Sequence, residues 1–229
     1  MRSSGWTVRR KRLLALLPAA TVLAACSHPA SLSPGYTASP APTPSVGAAP
    51  WPAPSDPLGL ARSAGLVPDV REYFTFHVHA HLDVFVNGSP VLVPAGIGIN
   101  IDDPAVHHGS TPYGPGYGGI TMCAQPCISP LHTHQGDGVI HTEAREKQPF
   151  RLGQFFTEWD VRLDSSCVGG YCRPAAAIAV FVDGKRYTGN PADIVLTDHE
   201  EIAIVIGSPP GTVPARFPAT PSPVPTATG

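Results

Sequence analysis

Methionine and charge are both scarce in this chain of 229 residues, which carries two Met and only 14% Asp, Glu, Lys and Arg. One Met opens the chain, so Met122 alone remains and a Met-rich Cu(I) site is excluded. There is no His-Glu-X-X-His motif, no Cys-X2-Cys pair and no Gly-rich phosphate loop, which removes the familiar zinc-protease, structural-zinc and nucleotide-binding patterns. Nor is there an apolar run long enough to cross a bilayer comfortably, which takes about 20 residues. The longest such run is the short one from Leu13 to Ala25.

That run reads as an export signal. Arg2, Arg9, Arg10, Lys11 and Arg12 supply a positive start, and the apolar segment ends in Leu23-Ala24-Ala25-Cys26. This ending resembles a bacterial lipobox. The resemblance implies cleavage before Cys26, lipidation of its thiol, and attachment to the outer, extracytoplasmic face of the cell membrane. Residues 1–25 are therefore expected to be a signal peptide. Residues 26–70, rich in Pro, Ala and Ser, are expected to form a semi-extended tether, because such a stretch buries too little apolar surface to offset its ordering entropy. Residues 208–229 have the same character and are expected to be a disordered tail. Residues 71–207 between them have the common size of one domain with one core.

Removing the signal takes away five basic residues and no acidic ones, leaving 10 Lys+Arg against 17 Asp+Glu, a net charge of −7 with neutral His. Nucleic acid is thereby an improbable partner. No polybasic stretch follows Cys26 to assist membrane binding. Four further cysteines, Cys123, Cys127, Cys167 and Cys172, form an even set, which outside the cytoplasm favours disulfides. Local pairing, Cys123 with Cys127 and Cys167 with Cys172, is the simplest of three connectivities; a bridge between the two loops is the rival. Cys127 could instead supply a thiolate to a metal alongside His132 and His134.

The domain reads as mainly β, a β-sandwich-like or partly open barrel of hairpins with one short helix. From Phe74 the chain alternates with period 2. Phe74, Phe76, Val78, Ala80, Leu82, Val84 and Val86 share one face; His77, His79, His81, Asp83 and Phe85 share the other. Asn87-Gly88 is a strong hairpin turn signal, and Asp183-Gly184 repeats it after Ile178 to Val182. Further strands are expected at Gly138 to Glu143 and Glu201 to Ile206. Leu152, Phe155, Phe156 and Trp159 recur at helical spacing, placing the helix at about 152–159 with a core-facing stripe. Asp102 to Gly119 reads as a long turn-rich loop on which His107 and His108 are solvated, and Asp198 to Glu201 as a charged turn.

Six of the ten histidines fall in two short segments, His77, His79 and His81 in the first and His132, His134 and His141 in the second. On a strand, His-X-His aims two imidazoles the same way, about 7 Å apart. Neutral imidazoles converging on one point are ligands for a divalent transition metal such as Cu or Zn. Strand reach limits the set: His77 and His81 lie about 13 Å apart when extended, near the limit for one ion. The turn at Gln135 to Gly138 is expected to set His134 opposite His141, with Glu143 nearby and His79 plus one neighbour completing the shell. The His-X-His and His-X-Glu phrases stand too far apart for the cupin motif.

The phrases His77-Val-His-Ala-His-Leu-Asp-Val-Phe-Val-Asn-Gly88, Val93-Pro-Ala-Gly-Ile-Gly98, Leu131-His-Thr-His134, Gly138-Val-Ile-His-Thr-Glu143 and Leu152-Gly-Gln-Phe-Phe156 together resemble a group of small extracytoplasmic proteins of bacteria and archaea. The resemblance spans about Phe76 to Gly207. It implies that these motifs form one unit, and it carries over no activity and no ligands. Three functions follow from the residues. The first is a lipid-anchored module that binds metal for buffering, delivery or sensing. The second is a metal-dependent enzyme, a hydrolase or lyase or one using oxygen, with Glu143 as general base. The third is a non-metal interaction domain with a pH-responsive histidine face.

Overall fold

A computed structural model describes residues 47–219. The expected signal peptide, Cys26, the start of the tether and the end of the tail lie outside the described residues. Eleven strands follow in chain order: β1 (Phe76–Val86), β2 (Ser89–Val91), β3 (His107–Thr111), β4 (Gly114–Gly118), β5 (Leu131–His132), β6 (Val139–Ala144), β7 (Cys167–Val168), β8 (Tyr171–Cys172), β9 (Ile178–Val182), β10 (Lys185–Tyr187) and β11 (Glu200–Ile206). Two helices accompany them, α1 (Pro57–Ser63) and α2 (Leu152–Glu158). The domain is mainly β, as the alternation predicts, and its sheets do not close into a barrel.

Seven strands form one mixed sheet in the order β10-β9-β11-β1-β6-β5, with β2 also paired to β1; β3–β4 and β7–β8 are separate two-stranded ladders. Central β1 is long enough to serve three partners. β6 runs antiparallel along Phe76 to His81, β2 continues on Val84 to Val86, and β11 lies parallel along Ala80 to Val86. Both turn signals hold: Asn87 (φ 50°) with Gly88 (φ 81°), and Asp183 (φ 49°) with Gly184 (φ 71°), adopt the paired positive φ that a tight hairpin turn of matching twist demands.

Alternation then assigns the faces. Ala80, Leu82 and Val84 of β1, Ile140 of β6 and Ile202, Ile204 and Ile206 of β11 enter the main core. There they meet Leu152, Phe155, Phe156 and Trp159, the helical stripe predicted for α2. The opposite face of β1 and β6 carries the histidines. A second, smaller core gathers Ile99, Val106, Ile120, Cys123, Cys127 and Ile128. All six residues of β6 are buried, although His141, Thr142 and Glu143 are polar. The disulfides pair locally, Cys123 with Cys127 and Cys167 with Cys172.

Three expectations are corrected. The tether does not extend to residue 70: Trp51, Leu60, Ala61 and Leu66 are buried in the main core, and Trp51 meets Trp159 edge to face at 5.7 Å. Asp56 caps α1 by accepting from the Gly59 amide, so a Pro-rich stretch folds where a few apolar anchors have a core to enter. The described part of the tail also lies on the domain, with Phe217 edge to face against His199 at 4.9 Å. Finally, Asp102 to Gly119 is not a structureless loop but contains the β3–β4 hairpin, which leaves His107 and His108 exposed, as expected.

Candidate metal centre

The sheet register assembles the histidines. His79 on β1 stands opposite His141 on β6, and His141 stands opposite His132 on β5. Three imidazoles therefore form a row across three adjacent strands on one face. In the neighbouring row His77 lies opposite Glu143. The sequence expectation set His134 opposite His141, and this is corrected: β5 ends at His132. Beyond it the backbone turns to other partners, Thr133 to Ile97 and Gly96, and His134 to Tyr117. His134 enters the centre from this connection, and its ring centroid lies 4.5 Å from that of His141.

Close approach of backbone makes this arrangement possible. A Cβ on Gly98 (φ 71°) would lie 2.2 Å from the Leu131 carbonyl, and one on Gly138 (φ 81°) would lie 2.6 Å from the Leu82 carbonyl. Neither position admits a side chain without moving the strand that carries His132 or the one that carries His81.

Hydrogen bonds fix two tautomers. Nδ1 of His132 lies 2.9 Å from the Ser129 carbonyl, and Nδ1 of His134 lies 2.6 Å from the Tyr117 carbonyl. A carbonyl oxygen only accepts, so both Nδ1 atoms carry the proton and donate. In the neutral rings both Nε2 atoms then present bare lone pairs, and these face each other at 3.2 Å. No hydrogen bond can join them. Two imidazoles bound to one tetrahedral zinc at 2.0–2.1 Å would hold their nitrogens about 3.3 Å apart. The backbone carbonyls play the orienting role that outer partners commonly play for metal-bound histidine.

Protonation does not relieve the contact. Burial, reinforced by the neighbouring imidazoles, pulls His132 and His141 well below the usual histidine value. Burial pushes His134 down to about 4. The rings are thus held neutral, the form that binds metal.

The carboxylates behave oppositely. Burial, with the nearby charge of Glu72, raises Glu143 to about 8, and burial raises Glu72 to about 7. Oε1 of Glu143 lies 3.2 Å from His77 Nε2, 3.6 Å from His141 Nδ1 and 3.9 Å from His132 Nε2. Its Oε2 is buried with no hydrogen-bond partner among the described residues. Glu72 lies 3.5 Å from His134 Nε2. His132, His134, His141 and Glu143 form one group able to hold a metal ion, and His77, His79 and His141 form another.

Five of the six singled-out histidines are brought together. His81 is not. Its Nδ1 sits 2.8 Å from Glu201 Oε2 and its Nε2 lies 2.9 Å from the Asp137 carbonyl, so both nitrogens are engaged. Burial lowers the pKa of His81, but the hydrogen bond and charge of Glu201 and the charge of Asp83 outweigh it and hold it above the ordinary value. His81, Asp83 and Glu201 make a separate group that could also hold an ion. The segment Asp198 to Glu201, read as a charged turn, thus contributes a buried carboxylate as well. Sequence reasoning also missed Glu72, Ser129 and Tyr117. Glu72 is a lone acid before β1 with no pattern around it, and Ser129 and Tyr117 act through backbone atoms that any residue possesses. The four cysteines are all in disulfides, so none offers a thiolate.

A cavity of about 370 Å³ adjoins the centre, with Glu72, Tyr73, Ser129, His132, Glu143 and Phe150 among its walls. No protein-family model, curated protein or solved structure matches this chain.

Proposed function

We propose that this chain is a lipid-anchored, extracytoplasmic protein whose β domain binds a divalent transition metal, copper or zinc, for buffering, delivery or sensing. The observation that carries the reading is the 3.2 Å contact between the Nε2 lone pairs of buried His132 and His134, each ring already committed through Nδ1. A cation accepts both lone pairs at once, and His141 and Glu143 lie in the same group of donors. Two disulfides support a life in an oxidising compartment. The Leu23-Ala24-Ala25-Cys26 phrase supports cleavage and lipidation at Cys26.

A second reading has one observation in its favour. The cavity bordered by His132 and Glu143 gives a small molecule a route to the ion, as a metal-dependent hydrolase or lyase requires. A pH-responsive interaction face fits poorly, because His132, His134 and His141 are buried.

Metal analysis tests the leading reading. The full chain, purified and exposed to zinc, is expected to retain the metal after desalting, and a His132→Ala, His134→Ala variant to lose at least one equivalent. Negligible zinc in both proteins removes the metal function. The anchor is tested separately: a Cys26→Ser chain is expected to leave the membrane fraction, and its retention there argues against lipidation.

A further inference from the structure

We propose that the cluster holds two divalent ions bridged by Glu143, an inference that rests on reading the cluster as a metal centre. The donors are too many for one tetrahedral ion. His77, His79, His132, His134 and His141, with Glu72 and Glu143, exceed the four ligands of a tetrahedral site. His132, His134, His141 and Glu143 converge as one group and His77, His79 and His141 as another, the two meeting at His141.

Each half has its own converging pair. His132 Nε2 and His134 Nε2 are 3.2 Å apart, and so are His79 Nε2 and His141 Nδ1. Oε1 of Glu143 lies between the pairs, 3.9 Å from His132 Nε2 and 3.6 Å from His141 Nδ1. The second oxygen of Glu143 is buried and without a partner among the described residues. A carboxylate so placed can give one oxygen to each of two ions, the arrangement that holds metals about 3.5–4 Å apart in two-metal centres.

The assignment follows. One ion takes His132 and His134, with Glu72, 3.5 Å from His134 Nε2, as its further acid. The second takes His79 and His141, with His77 beside Glu143 at 3.2 Å. The row of histidines across β1, β6 and β5 is thus shared between two ions, with Glu143 at the seam.

Stoichiometry decides the matter. The full chain saturated with zinc and freed of loose metal is expected to carry two ions, and a His77→Ala, His79→Ala variant one. A His107→Ala, His108→Ala variant, altered only on the exposed hairpin, is expected to keep two. One ion in the unaltered chain, whichever variant loses it, overturns the second ion while leaving a metal centre standing; no ion overturns both readings. Loss of an ion from the His107/His108 variant overturns the assignment to the cluster. An independent measurement needs no substitution: titrated with Cu(II), the full chain is expected to lose or split its paramagnetic resonance as the second equivalent enters. A signal that grows linearly through two equivalents overturns the bridged pair.

Discussion

Replacing Glu143 by glutamine asks the centre to do without its one buried ionisable acid at the seam, and the structure gives the size and sign of the response. In the folded, metal-free chain Glu143 titrates near 8, against 4.5 as its ordinary value. A folded value above the unfolded one means that stability is full below pH 4.5 and is lost as pH rises through 8. At pH 8 the unfolded chain has released a proton that the folded chain still half retains, a penalty of about 4 kcal/mol at 1.36 kcal/mol per unit of pKa. Glutamine has the same shape and no proton to lose, so Glu143→Gln removes the penalty. The metal-free variant is expected to be more stable than the parent at pH 8 by up to about 4 kcal/mol, roughly 10 °C in melting temperature for a domain of this size. At pH 5 the gain shrinks to about 1 kcal/mol or less. With zinc present the order reverses, because the parent gains binding free energy that a neutral amide supplies poorly. Thermal unfolding followed by circular dichroism, with chelator and with zinc at both pH values, reads all four states. A metal-free variant that melts at or below the parent at pH 8 refutes the claim that Glu143 is held in a strained, largely protonated form.

Three further outcomes are expected. Metal entry at pH 7 must displace the proton that Glu143 retains there, so calorimetric titration in buffers of different ionisation enthalpy should show about one proton or more released per chain, and none released would contradict the raised value. The His134 ring should stay neutral until about pH 4 in the metal-free chain, and a midpoint near 6.5 in its proton-carbon NMR titration would count against its burial as neutral imidazole. Trp51→Ala should cost about 3–5 kcal/mol in urea unfolding, as truncation of a core aromatic does, whereas a loss under 1 kcal/mol would restore residue 51 to the tether.

Much of the framework was legible because it rests on local rules. Period-2 alternation placed the histidines on one face of β1, the two turns demanded positive φ, and the stripe of Leu152, Phe155, Phe156 and Trp159 matched a helix. What stayed hidden was non-local. The parallel pairing of β1 with β11 joins segments about 120 residues apart, and it is this pairing that draws His81 toward Glu201 and away from the other histidines. The offset of His134 from His141 arose because residues after His132 bond to the strand-like stretches near Ile97 and Tyr117, partners that turn statistics at Gln135 to Gly138 cannot reveal. Composition likewise misplaced the boundary: Pro and Ala dominate residues 47–66, yet four apolar side chains there sufficed to enter the core.

The carbonyls of Ser129 and Tyr117 have a consequence for how such a protein can change. In many metal proteins the groups that orient the ligands are carboxylate side chains, and single substitutions there retune affinity. Here two of the orienting groups are main-chain atoms, which no point substitution deletes. The tautomers of His132 and His134 are thereby insulated from drift at positions 117 and 129, and only displacement of the loop itself can alter them. Adjustment of affinity for an ion held there, by selection or by design, would be channelled instead to the two acids, Glu72 and Glu143, where one atom's change of charge is enough.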